Sequence, residues 1–204
     1  MTRIPRPLSV LLPALFLAIS ACDGDALSGV TNLDGASVDP LSDSAALAVV
    51  TLFVDSDCPV SNRYAPELQR LYQRYAPQGV NFWLVYPDPG ISVETIRLHR
   101  GEYAYEIPAL RDPEHALVKR ANALVTPEAG IFLADGTLVY HGRIDNRYVD
   151  LTRRRPQATE HDVAAVLDAV LADKPVDASW TLAPGRSLKA MSQPGVGCYI
   201  GDFK

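Results

Sequence analysis

Residues 46–54 read ALAVVTLFV, an unbroken apolar run rich in β-branched side chains, and Asp55-Ser56-Asp57 stops it abruptly. A run of this length and composition is a buried strand with a polar end. Directly downstream, Tyr64, Leu68, Leu71, Tyr72 and Tyr75 fall at i, i+4, i+7, i+8 and i+11, which is one face of a helix. Pro59 suits the first helical position, where its missing N–H is not needed. Cys58 therefore stands where a central strand turns into a helix N-terminus. Unpaired backbone N–H groups and the positive end of the helix dipole meet there, and both favour thiolate over thiol. The polar neighbours Asp57 and Ser61 separate this cysteine from the usual inert, buried kind.

The remaining chain alternates strand and helix signals. Residues 80–86 (VNFWLVY) form a second buried strand, closed by Pro87-Asp88-Pro89-Gly90. Ser92 caps a helix over about residues 92–103 that carries Ile96 and a surface His99. A short apolar segment, 107–110, precedes Asp112-Pro113, which is expected to open a helix with Asp as cap and Pro at the first position. Leu117, Val118 and Ala121 are its buried side, His115 is expected to be solvated, and the helix ends at Asn122 or Ala123. Thr126-Pro127 leads into a strand over residues 129–134. Asp135-Gly136 turns it back into a second strand over 137–144. His141 and Arg143 read as decoration on that edge. Residues 145–157 hold Arg147, Arg153, Arg154 and Arg155 and read as a solvated loop. Thr159 caps a last helix over 160–171, whose His161 is exposed. From Lys174 onward, Pro and Gly punctuate a tail ending in Val196-Gly197-Cys198-Tyr199-Ile200. A structureless tail of this length calls for a function or for disorder.

The N-terminus is a targeting segment. Arg3 and Arg6 precede an apolar stretch over 8–19, too short for a stable span and of the usual length for a secretory leader. It ends in Ile19-Ser20-Ala21-Cys22, which resembles a bacterial lipobox, so Cys22 is the expected lipidation site. The chain is expected in a bacterial cell envelope, anchored in a membrane and facing an oxidising space where disulfides persist. Residues 23–43, rich in Asp, Gly and Ser, show no periodicity and read as a flexible tether. The net charge of −5 argues against a nucleic-acid partner. No cofactor and no metal are expected.

Cys58-Pro59-Val60-Ser61, the Pro66 inside the following helix and Thr126-Pro127 before a strand together resemble the thioredoxin-like superfamily, in its exported redoxin branch. The resemblance covers roughly residues 46–172. It implies an α/β domain over 44–173 with a central mixed sheet flanked by helices, between the tether of 22–43 and the tail of 174–204. It also implies a cis Pro127 facing Cys58, so that Thr126, Pro127 and Pro59 shape a substrate face. The activity implied is thiol–disulfide exchange with protein thiols or disulfides.

The chain departs from that pattern at several positions. Ser61 replaces the second cysteine of the motif; it can hydrogen-bond a thiolate but cannot close a disulfide. Asp57 replaces the tryptophan before the nucleophile, and Leu52 the buried acid. Asp55 and Asp57 oppose a thiolate at Cys58, with Arg63 and Arg143 as the cations to offset them. If Cys22 carries lipid, Cys58 and Cys198 remain as an even pair. In one reading Cys58 attacks and Cys198 on the tail resolves. In the other the bridge is permanent, and closing so long a loop stabilises the fold by about 4–5 kcal/mol. Peroxidase chemistry is not expected, because Thr51 and Asp55 stand where a peroxiredoxin has Pro and a Thr or Ser. Two alternatives belong to other classes. One is a copper chaperone that uses Cys58, Cys198 and His141. The other is a catalytically silent module that holds an extended peptide on the Thr126-Pro127 face.

Overall fold

A computed structural model describes residues 27–176, 195 and 197–201; the leader, Cys22 and most of the tail lie outside the described residues. Part of the expected tether is built into the sheet. Strand β1 (Thr31–Asn32) pairs antiparallel with β4 (Ala109–Arg111). Asn32 Oδ1 accepts the backbone N–H groups of Asp34 and Ala36, both at 2.9 Å, and so turns the chain back. Val30 is fully buried, with Val38 and Leu41 packed beside it. Three apolar side chains spread over a polar stretch are too few to show a period, yet enough to bind it to a sheet edge.

The apolar run becomes β2 (Ala48–Phe53), buried along its whole length. It lies between β3 (Val80–Tyr86), which is parallel to it, and β6 (Glu128–Leu133), which is antiparallel. Strand β7 (Leu138–Gly142) pairs with β6, so the six strands run β1-β4-β3-β2-β6-β7. Alternation along β2 feeds two cores. Val50 and Leu52 join α1 (Pro59–Tyr75) and α4 (Asp162–Leu171) through Leu68, Leu71, Val163 and Leu167. Val49 and Phe53 face α3 (Ala116–Ala121) through Leu117 and Ala121. Helix α2 (Val93–Glu102) starts at its Ser92 cap, whose Oγ accepts the Thr95 N–H at 3.0 Å. A mixed sheet with helices on both faces, the thioredoxin-like architecture, is thus what the chain builds. A separate two-stranded ribbon joins β5 (Val125–Thr126) to β8 (Cys198–Tyr199).

Several local expectations change. Helix α3 begins at Ala116 rather than at Pro113. The buried Asp112 caps it from a turn earlier, accepting the N–H groups of Ala116 at 2.7 Å and Val118 at 2.9 Å. His115 makes the intervening turn at φ 58°; it is buried rather than solvated, with Nε2 3.0 Å from the Pro87 carbonyl oxygen. Helix α4 begins at Asp162 rather than Glu160. The Thr159 hydroxyl accepts the Asn146 side-chain amide at 2.8 Å instead of capping that helix. Arg143 leaves the strand edge to pair with Asp162 at 2.9 Å and with Glu160.

Candidate active site

Cys58 is the N-cap residue of α1, and Pro59 is its first helical residue. No side chain caps this end and no acid lies in the first turn, so the helix dipole faces the sulfur unopposed from within the helix. Helix α1 is 17 residues long, and the internal Pro66 does not end it.

The turn before Cys58 is held by its own polar atoms. Asp55 Oδ1 accepts the Asp57 N–H at 2.9 Å, and Ser61 Oγ accepts the Asp55 N–H at 3.2 Å. Ser61 Oγ is therefore engaged by the backbone of this loop as an acceptor. A second brace was not legible in the sequence. Asn62 donates to the Ser56 carbonyl at 2.8 Å, its Oδ1 lies 2.9 Å from His99 Nε2, and His99 Nδ1 lies 2.7 Å from the Tyr86 hydroxyl. His99, expected at the surface, is buried among Tyr86, Tyr103 and Tyr105, and burial holds its imidazole below the ordinary histidine range. The signal was its spacing, three residues after the buried Ile96.

The Thr126–Pro127 peptide bond is cis. Both residues are buried, and the Thr126 carbonyl oxygen lies 3.2 Å from Cys58 Sγ. Pro59 is exposed on the other flank. The tail crosses between them. Cys198 and Cys58 are joined by a disulfide spanning 140 residues, with Cα atoms 5.8 Å apart. Cys198 lies opposite Thr126 in the ribbon and Tyr199 opposite Val125. The Ile200 N–H donates to the Leu124 carbonyl at 2.9 Å, and the Ile200 side chain enters the α3-side core. Tail and cis-proline loop thus make one antiparallel ribbon with the disulfide at its centre. The face expected to meet substrate is covered by the chain's own terminus.

Glu128 anchors this ribbon. Its carboxylate accepts the N–H groups of Leu124 at 2.7 Å and Gly195 at 3.0 Å while almost fully buried. Burial raises its carboxyl above the ordinary range, and the backbone N–H groups partly offset this. A raised carboxyl takes its proton in the folded state before the unfolded state does. Stability attached to it therefore grows as pH falls toward the ordinary value and is lost as pH rises through the folded one. Wild type should lose stability relative to Glu128→Gln as pH rises from about 4.5 toward neutrality. Parallel urea titrations of the two proteins measure that difference, and a pH-independent gap would contradict it.

The copper alternative finds little support in this geometry. Cys58 and Cys198 spend their sulfurs on each other. His141 is buried on β7, opposite Gly130, with Nε2 lacking a hydrogen-bond partner. Among the described residues, the gathered metal-type group is Glu67, Asp145 and His161. Arg70 occupies Glu67, and Tyr64 and Arg147 occupy Asp145. The Thr51 hydroxyl is buried and donates to the Gly130 carbonyl at 3.3 Å, so it is engaged on the sheet.

Residues 27–141 match the AhpC/TSA family. Among curated proteins none matches the chain. Among solved structures, an uncharacterized conserved protein from Geobacillus kaustophilus is similar at 28% identity and a TM-score of 0.65, covering 84% of this chain and 86% of that one. A hypothetical protein from Sinorhizobium meliloti is similar at 23% identity and a TM-score of 0.66, over 84% and 88%. A secreted Mycobacterium tuberculosis disulfide oxidoreductase homologous to E. coli DsbE is similar at 22% identity and a TM-score of 0.49, over 74% and 98%.

Proposed function

We propose, from the premise that this chain belongs to the AhpC/TSA family, that it is a thiol–disulfide oxidoreductase whose redox pair is Cys58 and Cys198. The observation that carries this is the bridge itself. It links a cysteine at a helix N-terminus to a cysteine on a terminal strand, directly over a cis-proline loop. In the reduced pair the helix N-terminus favours the Cys58 thiolate, which is both a nucleophile and a good leaving group. One turnover moves two electrons. The dithiol form reduces a partner disulfide to two thiols and closes its own bridge, and a donor dithiol reopens it. Ser61 contributes by fixing the Asp55 amide, and thereby the turn that presents Cys58. Thr126 and Pro127 contribute the backbone edge on which an extended segment pairs.

The partners proposed are protein thiols and disulfides of the bacterial cell envelope. The leader and the Cys22 motif support export and a lipid anchor. No helix among the described residues is long and apolar enough to cross a membrane.

The test is reduction of a model protein disulfide by dithiothreitol with the full chain as catalyst. Wild type should exceed dithiothreitol alone, and Cys58→Ser should fall to that background. A wild type no faster than background would leave the bridge as a staple. In bacterial cells producing the full chain, Cys22→Ser should move the protein out of the membrane fraction; retention there would remove the anchor from the proposal.

A further inference from the structure

We infer that partner sulfurs exchange with the bridge at Cys198, and that Cys58 is the internal sulfur that leaves and returns. The inference rests on the redox reading above and exchanges the two roles expected from the sequence.

The first argument is access. Cys58 is 1% exposed and sits in the α1-side core with Val60, Tyr64 and Leu68. Cys198 is only half-buried, and its neighbour Tyr199 is 65% exposed. The second is direction. Thiol–disulfide exchange needs the attacking, attacked and leaving sulfurs nearly in line. Attack on Cys58 Sγ must come from the side away from Cys198, where the rest of this buried residue and its core neighbours stand. Attack on Cys198 Sγ comes from the side away from Cys58, at a residue that is only partly buried. The third is the leaving group. A sulfur at the end of α1 departs as a stabilised thiolate, and lower-pKa thiols leave faster.

The steps balance. A partner thiolate attacks Cys198 Sγ, forming a mixed disulfide; the Cys58–Cys198 bond breaks, and its electron pair stays on Cys58 as thiolate. The partner's second thiolate then attacks the partner's own sulfur, releasing Cys198, which takes a proton from water, and the donor leaves as its disulfide. In the opposite direction the Cys198 thiolate attacks a partner disulfide and expels one partner thiolate. Cys58 then attacks Cys198 Sγ, closes the bridge and expels the second. The flanking bonds from Ile200 to Leu124 and from Gly195 to Glu128 hold the tail in place while the sulfurs separate.

Oxidised full-length protein is mixed with glutathione, quenched in acid at successive early times, alkylated, digested and mapped by mass spectrometry. The expected result is at least tenfold more glutathione on Cys198 than on Cys58 before the bridge is fully reduced. A Cys58→Ser chain should also take up glutathione from its disulfide at least tenfold faster than Cys198→Ser. Equal or greater labelling of Cys58, with catalytic turnover retained, overturns this assignment and leaves the redox function standing. A bridge that opens only after the chain is unfolded overturns both.

Discussion

Gly197→Ala should leave Cys58 and Cys198 largely as free thiols under conditions in which wild type is bridged. A Cβ at this position would lie 1.8 Å from the Thr126 carbonyl oxygen, 2.5 Å from its carbon and 3.1 Å from Pro127 N. All three are backbone atoms of the loop built around the cis bond, so no side chain can swing aside. The tail must lift from β5 or the loop must shift, and either breaks the register that puts Cys198 opposite Thr126. Overpacking of this kind costs about 1–3 kcal/mol. Bridge formation at a fixed thiol ratio should then fall roughly 5- to 150-fold. Gly195→Ala is the internal control. Its Cβ would meet side-chain atoms only, Glu128 Cγ at 2.6 Å and Val125 Cγ2 at 2.9 Å, so the loss should be smaller, although a shift of Glu128 weakens its hold on the Gly195 N–H. Mapping free and bridged thiols of each protein, equilibrated in one glutathione redox buffer and quenched in acid, measures both. Wild-type bridging in Gly197→Ala would mean that the ribbon does not govern closure.

The second large effect concerns the helix that carries Cys58. Asp145→Ala should destabilise the fold by about 3–5 kcal/mol, the usual result of breaking a buried charged pair from one side. For a chain of this size that is a fall of roughly 6–20 °C in melting temperature. The reason is local. The Asp145 carboxylate, 2% exposed, accepts the Tyr64 hydroxyl at 2.6 Å and the Arg147 N–H at 2.8 Å, and lies 3.5 Å from the Arg147 guanidinium. Tyr64 lies on α1 less than two turns beyond Cys58, so this contact ties the helix to the loop that follows β7. Without the carboxylate, a buried hydroxyl and a partly buried cation lose their partner. Asp145→Asn keeps the shape and should lose less. Thermal melts of the oxidised proteins give the comparison, and a shift below about 2 °C for Asp145→Ala would show that water replaces the carboxylate.

Strong local patterns were legible in the chain. Residues 80–86 coincide with β3, and Pro59 begins α1 as its missing N–H requires. The run at 46–54 narrows to β2 by two residues at its start and one at its end. The turn at Asp135-Gly136 holds because Gly136 takes φ 77°. Weak patterns misled where a residue's partner is set by the folded path of a turn or loop rather than by helix or strand period. Asp112 resembles an ordinary cap, yet its carboxylate reaches past His115 to Ala116 and Val118. His99 carried only its place three residues after Ile96 as a local signal, because the aromatic rings that enclose it come from β3 and from the segment after α2. Ser61 occupies the position where a thiol partner is expected, and only the folded turn shows that its hydroxyl answers Asp55.

Residue order alone settled which cysteine begins a helix, since apolar period, proline position and polar stop act within a few residues of one another. It also left Cys198 as the candidate mate of Cys58, on the expectation that Cys22 is the lipidation site. Order could not say that the tail returns as a strand against Val125 and Thr126. That pairing spans more than 70 residues and depends on Gly197 clearing a carbonyl, Glu128 holding Gly195 and Ile200 filling the α3-side core. Such contacts exist only once the sheet has brought β5 beside the terminus. They decide that Cys58 is covered and that Cys198 is only partly so.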